Sequence, residues 1–337
     1  MENEKVKKPI YKKAWFYIII FILCIIVIGG VLLLKNKDSS SSDGLVNLNN
    51  ITLGDFNKNG TANEKVLYEQ NNVKITFKKI EYTDYSANLT FEFVNNDKEK
   101  LKFMAGTAAH CINSINEFMV STGFINVDVE PGESKTDVVR FNYDEMRLLG
   151  IDEIAEVNID FAIDADDYKS NFNQFNTGSL QIKTSLYDSY NFNNDKRYID
   201  RITSKAIETK YNNKILKKKN DIYSIAEGLD VISNVSMENK DGENILMIEI
   251  KNNSGKDIYA KIKNIKFNGI LTNEYLVDSD YILNGKKSVL DIDISDEKER
   301  EEAQSIENIK TITYDVCITD SNDTYTELVS KEITFEL

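Results

Sequence analysis

Apolar and polar residues alternate in many short runs along the chain, as expected for β-strands with one buried face. Residues 88–95 and 245–252 show the pattern clearly, because every second side chain is a large apolar one. Turn-forming residues separate the runs, for example at 130–133, where the sequence reads Glu-Pro-Gly-Glu. Short alternating strands separated by such turns predict an antiparallel β-sandwich.

The runs also repeat within the chain. Residues 88–95 match 245–252 at an offset of 157, and an Asn-Asn pair closes both segments. Further matches join Asn116-Glu117-Phe118 to Asn273-Glu274-Tyr275, Val139 and Phe141 to Ile292 and Ile294, 157–163 to 312–318, and 178–185 to 330–337. The offset changes only between runs, where loops tolerate insertions, so we interpret the pattern as a tandem duplication.

Each copy contains one short helical signal at the same place. Asn142 can cap a helix over 143–149 that ends at Gly150, and Ser295 can cap one over 296–304. The expected fold class is therefore all-β, with two tandem Ig-like antiparallel β-sandwich modules behind one N-terminal transmembrane helix. The expected boundaries are a cytoplasmic tail at 1–13, the transmembrane helix at 14–34, a linker at 35–63, module 1 at 64–185, an inter-module linker at 186–215 and module 2 at 216–337.

The N-terminal apolar run predicts a membrane anchor. Residues 14–34 contain no charge and are long enough, as a helix, to cross the roughly 30 Å hydrocarbon core of a bilayer. Five lysines precede the run, which predicts a cytoplasmic N-terminus and extracellular modules. A cleaved signal peptide is the competing interpretation, but the run is longer than a typical apolar signal core and no small-residue cleavage site follows it.

The charge balance limits the partners. The chain has a formal net charge of −14, and the acidic excess lies wholly after residue 35. An acidic segment of this kind is repelled by polyanions, so nucleic acid is not expected as a partner. Lys217-Lys218-Lys219 is a local exception, and we interpret it as a solvated turn rather than a site for an acidic partner.

The strand pattern resembles a group of uncharacterised Ig-like domains that follow a lipoprotein signal or a single membrane anchor in Gram-positive bacteria. The similarity rests on residues 66–82, which begin with Val-Leu-Tyr-Glu, on 89–96, on Val-Glu-Pro-Gly at 129–132 and on the acidic helix that follows. It is weaker in the second copy, where Ile222-Tyr223-Ser224 replaces the Leu-Tyr-Glu motif. The resemblance implies an extracytoplasmic sandwich and supplies no catalytic residue.

Candidate catalytic residues are few. His110 is the one histidine of the chain, and Cys111 beside it would point to the opposite face of a strand. A Cys-His pair adjacent in sequence therefore does not make a nucleophilic site. Cys111 and Cys317 occupy unrelated positions in the two copies, so we expect buried free thiols rather than a disulfide. We expect no catalytic residue, and no enzyme activity.

Two patterns in the sequence are candidate metal sites. Asp55, Asn57, Asn59 and Gly60 match the first half of a calcium-binding loop, but Val66 stands where its last carboxylate belongs, so a polar turn is expected. Acidic loops at 164–167 and 320–323 could hold extracellular calcium weakly, although Asp and Asn also favour hairpin turns. We expect no metal, cofactor-binding or catalytic site residues and no cofactor.

These observations favour a non-catalytic binding or adaptor protein at the bacterial cell surface. The expected partners are the lipid bilayer, through residues 14–34, and an envelope or extracellular protein. Two alternatives remain open, namely an accessory or sensory subunit of a membrane complex and an envelope hydrolase whose site the sequence does not reveal.

Overall fold

The architecture was obtained as a computed structural model, which describes residues 56–106, 113–165, 174–192, 214–219, 221–238, 244–271, 278–293, 309–320 and 323–336. These residues form an all-β structure of mainly antiparallel sheets with one short helix. No helix in the described ranges is both long and apolar enough to cross a membrane. The expected tail at 1–13, the expected anchor at 14–34 and the expected second helix at 296–304 lie outside the described residues.

The first half of the chain contains twelve described strands and the helix. The strands are β1 Lys65–Gln70, β2 Val73–Tyr82, β3 Ser86–Asn95, β4 Leu101–Ala105, β5 Asn113–Ile115, β6 Phe118–Val120, β7 Ile125–Val129, β8 Ser134–Asn142, β9 Glu156–Ile159, β10 Ala162–Ala165, β11 Phe175–Asn176 and β12 Leu180–Lys183. The helix α1 spans Tyr143–Leu148, as the sequence pattern predicts, and Gly150 follows it with a φ of 73°. A short 3-10 helix at Tyr187–Ser189 closes the half.

The second half contains ten described strands. They are β13 Lys214–Lys219, β14 Tyr223–Ala226, β15 Leu229–Glu238, β16 Asn244–Asn252, β17 Ile258–Phe267, β18 Ile270–Leu271, β19 Asp278–Ile282, β20 Lys287–Asp293, β21 Thr311–Asp320 and β22 Asp323–Glu336.

The order of the strands corresponds between the halves. The sheet β1-β2-β3-β8 has its counterpart in β13-β15-β16-β20, where β14 also pairs with β15. The strands β11, β10, β4 and β7, together with β12, β9, β5 and β6, correspond to the sheet of β22, β21, β17, β18 and β19. The long strands β17, β21 and β22 of the second half are thus each split into two shorter ones in the first.

Each half has its own apolar core, built from the alternating residues that the sequence marks. Phe91 and Phe93 are fully buried and both contact the ring of Phe161, with centroids 5.3 and 5.4 Å apart. Ile248 and Ile250 are fully buried in the second half. The alternation predicts these buried faces because side chains of period 2 point to one side of a sheet.

The pairing of the strands corrects two of the sequence matches. Ile115 pairs with Val157 and Phe267 pairs with Ile312, so Asn116 corresponds to Asn268 and not to Asn273. The offset falls from 157 to 152 because extra residues separate β4 from β5, where the second half has the continuous strand β17. His110 and Cys111 belong to this extra segment and lie outside the described residues.

The match of 178–185 with 330–337 is shifted by two residues. Ile182 pairs with Val157, and Phe335 pairs with Ile312, the counterpart of Val157, so Ile182 corresponds to Phe335 and not to Ile333. A shift of two keeps the same face buried, which is why the sequence pattern did not reveal it.

Two further expectations, one about the linker and one about a turn, differ from the structure. Phe56, placed in the linker 35–63, is only 4% exposed and stacks on Tyr143 with a centroid distance of 4.4 Å. The segment from Phe56 onward therefore belongs to the first half. Lys217-Lys218-Lys219 is not a turn but the end of β13, which pairs with β15 at the edge of a sheet. Lysines are common on such edges because they discourage further strand pairing.

Candidate functional site

The residues that the sequence suggested for chemistry are not brought together in the described part of the chain. Cys317 is 1% exposed, its Sγ lies 3.1 Å from Ser330 Oγ, and burial raises the pKa of its thiol. A thiol with a raised pKa is a weak nucleophile.

The calcium-like loop is a turn. Asn57 Nδ2 donates to Glu153 Oε2 at 2.7 Å, and the backbone N–H of Asn59 donates to Asn57 Oδ1 at 3.1 Å. The amide oxygen that would face a cation is thus occupied by the turn itself. Asp55 lies outside the described residues.

The described residues of the acidic loops form no cluster of ligands. Asp164 Oδ1 accepts a hydrogen bond from the backbone N–H of Ala165 at 2.8 Å, while Asp166 and Asp167 lie outside the described residues. No group of three or more His, Cys, Asp or Glu side chains suited to a metal ion occurs in the ranges that the structure describes.

The most distinctive polar arrangement lies where the two halves meet. Strand β6 of the first half pairs in parallel with β20 of the second, with Phe118 opposite Lys287, so one sheet runs through both halves. The backbone N–H of Lys287 donates to Glu117 O at 2.7 Å. We call this contact region the junction.

Apolar side chains fill part of the junction. Phe118 is 1% exposed, and Val235 of the second half is fully buried within the core of the first half. Met119 in turn belongs to the core of the second half. Each half therefore buries apolar side chains of the other, which joins the two cores.

A buried ion pair lies beside these apolar residues. Lys286 Nζ is 2.8 Å from Glu156 Oε1, and the two side chains are 13% and 7% exposed. Lys286 Nζ also donates to the backbone oxygen of Asn116. Two charges can remain this deep because each has a charged partner and further hydrogen bonds.

Glu156 collects donors from three strands or turns. Besides Lys286, the amide Nδ2 of Asn158 donates to its Oε1, and Gln181 Nε2 donates to its Oε2 at 2.9 Å. Asn158 lies two residues beyond Glu156 on β9 and therefore on the same face. The backbone N–H of Glu156 donates to Asn116 Oδ1 at 3.1 Å, which fixes the start of β9.

A second carboxylate near the junction is held by a phenol. Tyr190 OH donates to Glu117 Oε2 at 2.7 Å. Burial and the adjacent carboxylate of Glu117 raise the pKa of Tyr190 well above its usual range, so the phenol stays protonated and remains a donor.

Strand β18 is the counterpart of β6 in the second half. Among the described residues, no strand lies beside it as β20 lies beside β6. Ile270 and Leu271 of β18 correspond to Phe118 and Met119, because each pair follows its partner strand through a two-residue turn. Ile270 is 49% and Leu271 is 41% exposed. The described strand pairs of β18 are those with β17 alone, which leaves its outer edge open in that part of the chain.

The sequence did not mark the junction residues as functional. Glu156, Asn158 and Gln181 correspond by strand pairing to Thr311, Thr313 and Thr334, so the two halves differ in chemistry at three sheet positions. A correct alignment of the two halves would show this difference, but not that Lys286 lies beside Glu156.

Comparisons with known proteins give no identification. No protein-family model and no curated protein matches the chain. Among solved structures, red sea bream transglutaminase aligns at 10% identity over 80% of this chain and 31% of its own length, with a TM-score of 0.22. A conserved domain protein from Bacillus anthracis aligns at 12% identity over 84% of this chain and 93% of its own, with a TM-score of 0.21. This chain thus spans about a third of the transglutaminase, and TM-scores this low carry no argument about fold or function.

Proposed function

We propose that the protein is a single-pass membrane protein whose two tandem Ig-like sandwich modules stand outside the cell and bind an extracellular or envelope protein. The uncharged run at 14–34 and the lysines before it support the anchor and its orientation. The corresponding strand orders of the two halves support a duplicated module. The binding surface that we propose is the outer edge of β18, where no strand lies among the described residues.

The edge strand β6 of the first half supports this choice of surface. In the first half, the equivalent edge β6 accepts a strand of another module, since β20 lies beside it and Lys287 bonds to the backbone of Glu117. The same edge in the second half presents two exposed apolar side chains, Ile270 and Leu271. The occupant expected at β18 is therefore an extended strand of a partner protein, held by main-chain hydrogen bonds and by apolar contacts.

The edge is tested by capture with the full-length chain in detergent, using envelope and culture-medium proteins as the source. We expect a saturable partner that is lost with the double variant Ile270→Asp/Leu271→Asp, because charges at the edge oppose strand addition. Leu328→Asp is the matched control, since Leu328 is also an exposed apolar residue, at 60%, on another strand. The proposal fails if no saturable partner is captured, or if both variants lose it equally.

The display outside the cell is tested separately. Protease added to intact cells is expected to remove the C-terminal part of the chain while the residues before 14 stay protected. Full protection of the C-terminal part would exclude the proposed orientation, whatever the capture experiment shows.

A further inference from the structure

We propose that Lys286 and Asn158 become joined by an amide bond between their side chains, with Glu156 carrying the protons. The bond would tie the two halves of the chain together covalently at the junction. It would form whether or not β18 binds a partner, so its test is independent of the proposed function.

The side chains of Lys286, Glu156 and Asn158 are already arranged around one oxygen atom. Lys286 Nζ and Asn158 Nδ2 both donate to the same oxygen, Glu156 Oε1. The incoming nitrogen and the nitrogen that would leave are therefore separated by a single carboxylate oxygen. A general acid–base group must lie within hydrogen-bond reach of both atoms that exchange protons, and Glu156 does.

Burial shields these groups from water. Asn158 is 7% and Glu156 is 5% exposed, and the ring of Phe118 close by is 1% exposed. A site from which water is largely excluded limits competition by water for the amide carbon. Two groups held together by the fold react as if at very high concentration.

The reaction is an amide exchange and needs no oxidant or cofactor. Glu156 takes one proton from the Lys286 ammonium, and the free amine attacks Cγ of Asn158. The new bond joins Nζ to Cγ, while the bond between Cγ and Nδ2 breaks. A second proton passes from Nζ to Nδ2 through the same carboxylate, and the leaving ammonia takes the first proton from Glu156 as ammonium. Glu156 ends as a carboxylate, as it began.

The three polar residues occur at the junction, whereas the matching positions of the other half carry different residues. Glu156 and Asn158 correspond to Thr311 and Thr313, and Lys286 corresponds to Glu133. Thr313 Oγ1 bonds to Thr334 Oγ1 at 3.0 Å, an ordinary cross-strand contact. Threonines are sufficient to form the sheet at this position of the second half. Sheet formation alone therefore does not explain the presence of Glu156 and Asn158 in the first half.

Intact mass spectrometry of the full-length chain in detergent tests the proposal. The wild-type protein is expected to be lighter than its sequence by one molecule of ammonia, and a tryptic digest is expected to contain a branched peptide joining Lys286 to Asn158. The variants Lys286→Arg and Glu156→Gln are expected to keep the full mass. Lys79→Arg is the matched control and should behave as wild type, because Lys79 forms an exposed ion pair with Glu81.

Several outcomes would overturn the proposal. A wild-type mass equal to that of the sequence would exclude the bond, and so would an ammonia loss that persists in Lys286→Arg, since asparagine can lose ammonia on its own by cyclising. A branch at Gln181 instead of Asn158 would show the acceptor to be wrong. The branched peptide is sought in the wild-type protein, so the result does not depend on whether the variants fold.

Discussion

The side-chain amides of Asn95 and Asn252 make the same two hydrogen bonds in the two halves of the chain. Asn95 Nδ2 donates to Glu99 O at 2.8 Å and to Val129 O at 2.9 Å. Asn252 Nδ2 donates to Lys256 O and to Ile282 O, both at 2.8 Å. Both asparagines are fully buried, and each therefore connects the end of one strand to two other segments.

Replacing either asparagine should destabilise the protein strongly. Asn95→Ala and Asn252→Ala each remove the two hydrogen bonds that the amide nitrogen donates and also those that its oxygen accepts, from Asp97 in one half and from Ser254 in the other. We expect a loss of roughly 2–3 kcal/mol in the free energy of unfolding. Urea denaturation followed by circular dichroism measures it. Asn96→Ala is the control, because Asn96 is exposed and should change the free energy by less than about 0.5 kcal/mol. Equal effects at Asn95 and Asn96 would contradict the assigned role.

Two glycines with left-handed backbone should respond differently to alanine. At Gly123, which has a φ of 98°, a Cβ atom would lie 2.5 Å from Phe141 Cε1 and 2.7 Å from Asn113 Nδ2. At Gly132, with a φ of 74°, the same atom would meet nothing within 4 Å. Gly132→Ala should cost about 1–2 kcal/mol from the backbone alone, and Gly123→Ala about 1–3 kcal/mol more from overpacking. Thermal unfolding of both variants compares them, and similar melting temperatures would refute the steric argument.

Asp160 should make the stability depend on pH. Burial raises the pKa of its carboxyl group above the ordinary 3.8, although Thr177 Oγ1 donates to Asp160 Oδ1 at 3.0 Å and opposes the shift. A carboxyl whose pKa is higher in the folded chain opposes folding above that pKa, and the cost disappears as the pH falls toward the unfolded value.

The variant Asp160→Asn removes that cost. The gain in the free energy of unfolding of the variant over wild type should be larger at about pH 7 than at about pH 4. The reason is that burial disfavours only the ionised form of the aspartate. Denaturation at the two pH values gives the difference. A stability difference between variant and wild type that does not change with pH would show that Asp160 does not titrate as described.

The sequence predicted which faces of the strands are buried, but not always how the strands align. The alternation at 88–95 and 245–252 marks buried residues correctly, since a shift of one residue would turn the apolar face outward. The alternation does not distinguish alignments that differ by two residues. The sequence pattern therefore matches Ile182 to Ile333, whereas the strand pairing shows that it corresponds to Phe335. Hydrogen-bond pairing fixes the register, and a single sequence does not contain that information.

The junction could not be predicted for a related reason. Lys286 and Glu156 are far apart in sequence, and neither belongs to a recognisable motif. Their contact depends on the pairing of β20 with β6. That pairing contains one described residue pair, which a sequence pattern cannot indicate. Phe56 was missed because a lone aromatic residue in a polar segment shows no periodicity, although it fills a gap beside Tyr143.

The exchange of apolar side chains at the junction bears on how the chain can be divided. Met119 packs in the core of the second half, and Val235 packs in the core of the first. A fragment that stops after β12, or one that starts at β13, would present one of these side chains to water and would tend to self-associate. The two halves are therefore expected to melt in a single calorimetric transition rather than two, and neither half is a safe unit for crystallisation or for display on another scaffold.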